Sequence, residues 1–299
     1  MTGSSTWASA GDLARRVEDQ GFSGMLYTET GQVPWMQIAA AAMAAPSLTF
    51  TTGIAVAFPR SPMVSAQVAW ELAGETSGKF RLGLGSQVKG HVVRRYSADF
   101  DRPARRLHDY VMAVKACLRA FRGEERLSHE GEFYNLSLLP DTWKPRSHDF
   151  GNIKVDISSV GPLMNNVAGQ VADGVHVHPM HSMHYIENRL LPEVAQGAES
   201  AGRNASDIDL IVPVFAVAGD TAEERAPWVH RAKTQIAFYG TTPNYAFQFE
   251  DLGFEGVTKA LGDKMKAGDL QGMADTISDE MLDHFALVST WDGMADRLK

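Results

Sequence analysis

Glycine and small polar residues stand where two predicted strands end, a combination typical of ligand-binding loops. The apolar run Phe80–Leu84 breaks into Gly85-Ser86-Gln87, and a later apolar run ends in Ser158-Ser159-Val160-Gly161. Pro162 follows the second run and can open a helix. Backbone N–H groups at a helix N-terminus bind phosphate, and glycine lets a ligand approach the backbone closely. The second loop therefore predicts a phosphate-binding turn, and the first predicts a close approach of the backbone to a ligand. An ordinary strand-to-helix turn is the alternative.

A carboxylate and a row of small side chains fall at the ends of two earlier strands. Glu29 closes the first predicted strand, so its carboxylate either hydrogen-bonds a ligand or is a solvated loop charge. In the next strand small residues recur at alternate positions, as Gly53, Ala55 and Ala57. Small inward side chains leave room for a flat ring, which would contact Ala55 and Val56. Core packing among larger neighbours is the alternative.

Two histidines, His176 and His178, alternate on one predicted strand, a spacing that metal-dependent barrel hydrolases use. A zinc site would need further ligands from other strand ends. Glu29 and His91 are the candidates, but nothing pairs with them at ligand spacing. The sequence therefore predicts no metal site.

A short basic segment, Lys89, His91, Arg94 and Arg95, follows the Phe80 strand. The whole chain carries a formal net charge of −8, so a local group of cations is conspicuous. Such cations bind phosphate or carboxylate groups of a ligand through charge-assisted hydrogen bonds. A solvated surface loop is the alternative.

These residues need a frame that brings strand ends together. Apolar runs alternate with amphipathic segments along the chain, which predicts parallel strands joined by helices. The predicted strands are 24–29, 48–58, 80–86, 153–159, 174–178, 209–217 and 285–289. The predicted helices are 12–20, 36–45, 63–73, 103–121, 162–172, 185–201 and 221–238.

The alternation predicts a single α/β domain over residues 1–299, a (β/α)8 TIM barrel with a helical insertion at about 239–283. No G-x-G-x-x-G follows the first strand, which argues against an open doubly wound sheet. An eighth strand should precede Asp12, yet residues 1–10 are short and polar. That first strand is therefore expected to be irregular or missing.

Composition argues against several classes of function. A net charge of −8 gives no reason to expect nucleic acid as a partner. No apolar run is long enough to span a membrane, and no signal peptide opens the chain. The single cysteine, Cys117, is expected in the core and indicates an intracellular, cytoplasmic protein.

Several blocks of sequence resemble the luciferase-like monooxygenase superfamily of flavin and deazaflavin enzymes. The most specific block is Ser77-Gly78-Lys79-Phe80-Arg81-Leu82-Gly83-Leu84-Gly85. Weaker blocks follow the family order and are Ala14–Phe22, Tyr27–Thr30, Gly53–Phe58, Val160–Pro162 and Ala172–Gly174. Within the superfamily, residues 85–89 and 236–240 resemble an actinobacterial subgroup predicted to use coenzyme F420.

This resemblance implies an oxidoreductase that transfers a hydride between coenzyme F420 and a small organic substrate. An FMN-dependent monooxygenase is the first alternative, and a non-catalytic flavin-binding relative is the second. The resemblance also implies a non-prolyl cis peptide behind the cofactor ring, at Ala55-Val56. It further implies a homodimer whose interface includes helix 63–73, with Val64 and Trp70; core packing of these two side chains is the alternative.

The resemblance leaves the proton donor open. Several F420 dehydrogenases carry a catalytic acid shortly after the L-G-L-G strand, where this chain has Val88. The candidates for the catalytic acid are therefore Glu29, His91 and His178. The cofactor is expected at Ala55, Val56, Gly85, Ser86, Gln87, Ser158, Ser159, Val160 and Gly161, with its anionic tail at Lys89, Arg94 and Arg95.

Overall fold

The computed structural model describes residues 6–299 as an alternation of strands and helices. The strands are β1 (Gly24–Tyr27), β2 (Thr49–Thr52), β3 (Ala55–Val56), β4 (Phe80–Gly85), β5 (His129–Glu130), β6 (Asn135–Leu136), β7 (Val155–Ser159), β8 (Gly174–Val177), β9 (Asp209–Ile211), β10 (Phe215–Ala218) and β11 (Ala286–Ser289).

Most of the predicted helices form, several with proline in the first turn, as in α2, α3 and α5. The α-helices are α1 (Trp7–Asp19), α2 (Pro34–Ala44), α3 (Pro62–Glu75), α4 (Lys89–Arg94), α5 (Pro103–Phe121), α6 (Pro162–Val171), α7 (Met183–Tyr185), α8 (Leu191–Ser200), α9 (Ala222–Gly240), α10 (Phe247–Glu250), α11 (Val257–Ala267), α12 (Leu270–Thr276), α13 (Asp279–Phe285) and α14 (Trp291–Arg297). A π-helical segment at Ile186–Leu190 joins α7 to α8, and short 3-10 helices occur at Asp141–Trp143, Ala205–Asp207 and Pro243–Tyr245.

Helix α1 begins five residues earlier than predicted. Thr6 caps it, because its hydroxyl accepts a hydrogen bond from the Ser9 N–H. Within residues 6–299 no strand precedes this helix. The rest of the segment in which the sequence analysis sought a first strand, residues 1–5, lies outside the described residues.

The chain divides into two compact units. The first contains the described residues up to Ser159 together with Leu163–His176 and Val194–Leu210. Its main sheet has the order β1-β2-β4-β7-β8-β9, with β3 beside β4. Parallel pairing joins β1 to β2, β2 to β4, β3 to β4 and β4 to β7. The carboxyl ends of these strands therefore point the same way.

The core of the first unit lies between this sheet and the helices that follow its strands. Phe50, Leu82 and Ile157 on the strands are fully buried. Trp70 of α3 is only 2% exposed and packs edge-to-face on Phe121 of α5 at 5.6 Å. The prediction that Trp70 belongs to a dimer interface is therefore wrong, because its ring is already part of the core.

The second unit contains Val160–Pro162, Val177–Glu193 and Ile211–Lys299. Strands β10 and β11 pair in parallel within it. Helices α9 to α13 pack on them through a separate apolar cluster that includes Ile236, Phe249 and Phe285. The predicted insertion thus contains more helices than the two patterns visible in the sequence.

Two predicted strands are each split in two. Strand 48–58 becomes β2 and β3, separated by Gly53 and Ile54. Strand 209–217 becomes β9, in the sheet of the first unit, and β10, which pairs with β11. Pro213 lies between β9 and β10, and proline cannot donate to a strand ladder. The basic loop predicted after β4 also differs, because Lys89–Arg94 forms the short helix α4.

Two further expectations concern Cys117 and the membrane. Cys117 is buried in α5, as expected, and burial raises the pKa of its thiol to about 12. Among the helices of residues 6–299, none combines the length and apolar character that crossing a membrane requires.

Candidate functional site

In the first unit, the strand ladder breaks between β2 and β3 at a cis peptide bond, Gly53–Ile54. A Cβ atom on Gly53 would lie 2.4 Å from Leu26 Cδ1, so only glycine fits without a shift of that side chain. The prediction of a cis bond at Ala55-Val56 is wrong, because the cis bond of this segment is Gly53–Ile54, two residues earlier. Ala55 and Val56 form β3 and pair with Leu84 and Gly85. The apolar pattern of 48–58 predicted one continuous strand and gave no sign of this break.

Glu29 anchors the backbone of β3. Its side chain is 2% exposed, and its Oε2 accepts the Val56 N–H at 2.8 Å. The Arg60 guanidinium donates to both carboxylate oxygens, at 2.8 Å and 2.5 Å, and the Tyr96 hydroxyl donates to Oε1 at 3.4 Å. Both oxygens are thus bonded within the protein, which is the geometry of a positioning group. The predicted catalytic role of Glu29 stays a prediction.

Arg60 and Tyr96 were not among the residues predicted from the sequence. A buried carboxylate needs a cation nearby. Arg60 follows Val56 by four residues, so the charge of Glu29 could have pointed to Arg60 as its partner. Burial and the charge of Glu29 raise the pKa of the Tyr96 hydroxyl. Tyr96 therefore stays protonated and acts as a hydrogen-bond donor to Glu29.

The ends of β4 and β7 come together at Gly85. A Cβ atom on Gly85 would lie 2.6 Å from both Ile54 Cδ1 and Ser158 Oγ. Ser86 donates its hydroxyl to the Gln87 carbonyl at 3.2 Å, and Gln87 has a left-handed backbone with φ of 57°. The structure thus brings Ser158 to Gly85 and Ile54, next to the backbone break.

Two hydroxyls at strand ends have no hydrogen-bond partner within residues 6–299. They are Oγ of Ser159, a residue only 2% exposed, and Oγ1 of Thr28. A buried hydroxyl without a partner is costly, and a ligand oxygen would satisfy it. These two hydroxyls of the first unit therefore fit a polar ligand group. In the second unit, no atom lies within 4 Å of a Cβ on Gly161.

The predicted basic residues share one short element. Lys89, His91 and Arg94 lie exposed on α4, and Arg95 caps its C-terminus. Arg95 also donates to the Thr30 carbonyl, and its guanidinium lies 5.0 Å from the centroid of the Tyr96 ring. The segment therefore presents several cations to solvent immediately after β4.

His176 belongs to an ion-pair cluster of the first unit. Arg81 donates to both oxygens of buried Asp156, at 2.8 Å and 2.7 Å, and His176 Nε2 lies 3.7 Å from Asp156 Oδ2. Burial raises the pKa of Asp156, but the nearby His176 ring and the hydrogen bonds from Arg81 outweigh it and hold the pKa below its ordinary value. Within residues 6–299 no three His, Cys, Asp or Glu side chains gather as a metal site.

His178 lies in the second unit between two tyrosine rings. Its imidazole centroid is 4.7 Å from that of Tyr239 and 4.7 Å from that of Tyr245. The Met180 N–H donates to His178 Nδ1 at 3.1 Å. Because Nδ1 accepts, the neutral ring carries its proton on Nε2. Burial lowers the pKa of His178 to about 4, so the ring is neutral near pH 7.

A family model described as luciferase-like monooxygenase matches residues 1–299. An uncharacterized protein of Mycobacterium tuberculosis strain H37Rv is 34% identical over 292 residues, which are 98% of this chain and 86% of that protein. The chain belongs to the luciferase-like monooxygenase family. This confirms the resemblance seen in the sequence.

Solved structures of this family share the fold. A coenzyme F420-dependent tetrahydromethanopterin reductase from Methanopyrus kandleri matches with a TM-score of 0.80 at 18% identity, covering 98% of this chain and 86% of that one. The oxygenating constituent of a Pseudomonas putida 3,6-diketocamphane monooxygenase, in complex with FMN, matches with a TM-score of 0.62 at 18% identity, covering 99% and 83%. The predicted α/β fold, a luciferase-like TIM barrel, is confirmed.

Membership in the luciferase-like family places the chain among oxidoreductases whose members use F420 or FMN. The roles of the individual residues stay predictions. In the first unit the structure groups Ser158 with Gly85, and Val56 with Glu29, and places the basic residues together on and beside α4.

Proposed function

We propose that this protein is an F420-dependent oxidoreductase that transfers a hydride between the deazaflavin and a small organic substrate. The observation that carries the choice of F420 is the group of exposed cations on and beside α4, directly after β4. The tail of F420 carries several carboxylates besides its phosphate, whereas FMN ends at the phosphate. Charge-assisted hydrogen bonds to Lys89, Arg94 and Arg95 would favour the longer anionic tail.

The residues at the strand ends would hold the rest of the cofactor. We place the ring against Ala55 and Val56, whose backbone Glu29 and Arg60 keep in position. Ser158, Ser159 and Gly161 would bind its phosphate, since the Ser159 hydroxyl has no partner within residues 6–299. The bound deazaflavin supplies the hydride; the chain positions the ring, excludes water and provides the proton.

The proton donor is proposed from the same three candidates, Glu29, His91 and His178. His91 is exposed on α4, whereas both oxygens of Glu29 are already hydrogen-bonded within the protein. His178 carries a proton on Nε2 near neutral pH. The proposed assembly is a cytoplasmic homodimer, and the substrate is a small molecule.

An FMN-dependent monooxygenase is the second candidate function. The observation in its favour is the family structure that holds FMN. The strand-end hydroxyls suit the phosphate of either cofactor, so the distinction depends on the cations of α4.

Parallel titrations with F420 and FMN test the choice. We expect Arg94→Ala/Arg95→Ala to weaken F420 binding about tenfold and FMN binding less than threefold, and the F420 effect to shrink at high salt because exposed charges are screened. The matched control is Lys259→Ala/Lys266→Ala, which removes two exposed cations from α11. Equal losses for both cofactors, or tight binding of FMN alone, would overturn the proposal.

A further inference from the structure

The His178 cluster, defined as His178, Tyr239 and Tyr245, is built around an imidazole held on two sides. Tyr239 meets the imidazole at an interplanar angle of 79° and Tyr245 at 56°. Tyr239 is in the last turn of α9, and Tyr245 ends the following 3-10 helix. The end of α9 and the following 3-10 helix therefore fix the orientation of the His178 side chain, which comes directly after β8.

The hydrogen-bonding role of this imidazole is also fixed. Its Nδ1 accepts the Met180 N–H, which leaves Nε2–H as a donor. His181 adds a second neutral ring, because its Nδ1 donates to the His178 carbonyl at 2.8 Å and burial lowers its pKa. Burial likewise raises the pKa values of Tyr239 and Tyr245. Every titratable ring of the cluster is therefore uncharged near neutral pH.

A buried amide lies on α10, three residues beyond Tyr245. Gln248 is 2% exposed, and within residues 6–299 neither its Nε2 nor its Oε1 has a hydrogen-bond partner. Only Ala246 separates the 3-10 helix that ends at Tyr245 from α10, so Gln248 lies close to Tyr245 along the chain. An unpartnered buried amide is rare and costly, and a bound polar group would satisfy it.

Arg189, which packs on the residue before Gln248, is already paired. Its guanidinium lies 4.9 Å from the Phe247 ring centroid. Arg189 donates to Asp251 through both Nε and Nη2, the latter at 2.7 Å. A carboxylate or phosphate bound at His178 would meet only uncharged rings and an arginine that is already paired, and burying an unpaired charge is costly.

We propose that the His178 cluster, together with Gln248, binds the uncharged oxygen of a substrate, a ketone carbonyl or the corresponding hydroxyl, on a flat apolar body. The imidazole Nε2–H donates to the oxygen, the amide makes a second hydrogen bond, and the tyrosine rings pack on the apolar part. The proposal deepens the proposed hydride-transfer function, since it names the class of substrate.

Matched aromatic probes test the site on the full-length protein without cofactor. Acetophenone and 1-phenylethanol are a neutral ketone and alcohol, benzoate is the anion of similar shape, and ethylbenzene lacks oxygen. We expect acetophenone to shift the His178 Nε2 resonance in long-range proton–nitrogen spectra and to bind at least tenfold more tightly than benzoate. Binding of benzoate as tight as that of acetophenone, or no shift at His178, would overturn the proposal.

Two substitutions separate hydrogen bonding from packing. His178→Phe keeps a ring between the tyrosines without a donor, and His178→Gln keeps a donor near the position of Nε2. We expect acetophenone to bind 3- to 10-fold more weakly to H178F, by the loss of one neutral hydrogen bond, and within twofold of wild type to H178Q. Ethylbenzene should bind both variants alike, and an equal loss for both probes would overturn the proposed hydrogen bond.

A third variant and a cofactor titration complete the design. Gln248→Leu should weaken acetophenone binding 3- to 10-fold while raising the melting temperature, and it replaces H178F if that variant does not fold. Unchanged acetophenone affinity in Q248L would overturn the role of the amide. F420 titrations of wild type report on the proposed function separately, because failure of F420 to bind leaves the probe results unaffected.

Discussion

The pair formed by Glu29 and Arg60 explains how a carboxylate comes to be buried at a strand end. Its burial would be unfavourable without a cation, and Arg60 supplies one in a two-pronged geometry. Arg60 also donates to the Val56 carbonyl at 2.6 Å, while Glu29 accepts the Val56 N–H. Glu29 and Arg60 therefore hydrogen-bond both the N–H and the carbonyl of Val56 in β3.

Removal of Arg60 should destabilise the folded protein. We expect Arg60→Ala to lower the free energy of unfolding by about 3 kcal/mol, because it leaves a buried carboxylate unpaired. The double variant Glu29→Gln/Arg60→Ala should recover part of that loss, since the uncharged amide costs less to bury. Urea unfolding measures the free energy of unfolding of both variants. A loss below about 0.5 kcal/mol in R60A, typical of exposed ion pairs, would contradict this description.

The free energy of unfolding should depend on pH because the pKa of His178 differs between the folded and unfolded states. Its folded pKa of about 4 lies below the ordinary value of 6.5. Between these values the unfolded chain binds more protons, so the contribution is fully present above about pH 6.5 and is lost as the pH falls towards 4. Relative to His178→Phe, wild type should lose up to about 3 kcal/mol over this window. Urea midpoints measured from pH 4 to pH 8 test this, and parallel curves for the two proteins would contradict it.

At the scale of elements, helices α6 and α8 of the first unit approach each other through glycine. A Cβ atom on Gly169 of α6 would lie 2.1 Å from the Val194 carbonyl oxygen. A Cβ atom on Gly197 of α8 would lie 2.0 Å from the Asn166 carbonyl oxygen. The obstacles are backbone atoms, which cannot swing aside, so the two helices can pack this closely only with glycine at both positions.

Alanine at one of these positions should separate the helices. We expect Gly169→Ala to destabilise the protein by about 2 kcal/mol, the usual range for overpacking. The matched control is Gly262→Ala in α11, where no neighbouring atom lies within 4 Å of the new Cβ. That change should stabilise by up to about 1 kcal/mol, because alanine favours helix over glycine. Thermal unfolding of both variants checks the pair, and a neutral or stabilising G169A would contradict the close approach.

The elements were predictable where a periodic pattern or proline marked them. Helix α5 matches its predicted bounds because an apolar stripe runs along Pro103–Phe121. Strand continuity was not predictable, because the apolar pattern runs on through residues 53–54 and 212–214 while the backbone pairing stops. Hydrophobic pattern reports burial, and it carries little information about which strand pairs with which.

The site was partly predictable for the same reason. Loops after buried strands could be located from the sequence, which is how Gly85, Ser158 and the cations of α4 were chosen. Contacts between distant segments could not, so the tyrosines around His178 were missed as partners. Arg60 was missed too, although the need of a buried carboxylate for a cation was a usable signal. Gln248 has no motif at all, and only its burial without a partner draws attention to it.

At the scale of the whole molecule, helices α2 and α3 of the first unit leave apolar side chains exposed. Helix α2 has no charged residue, and Met36 and Met43 on it are 50% and 88% exposed. Val64 at the start of α3 is 47% exposed. Scattered exposed apolar residues are ordinary, but a helix with an uncharged outer face is typical of a surface that another chain covers.

A second copy of this chain is the occupant we predict for that surface. Sedimentation velocity at about 10 μM should give a dimer for the wild type, in the micromolar range of affinity or tighter. Met43→Glu should raise the dimer dissociation constant at least tenfold, because the interface would bury an unpaired carboxylate. Met265→Glu on α11, where the methionine is 37% exposed, is the matched control and should leave the dimer intact. A wild-type monomer at this concentration would refute the homodimer, and a dimer that M43E leaves unchanged would exclude α2 from its interface.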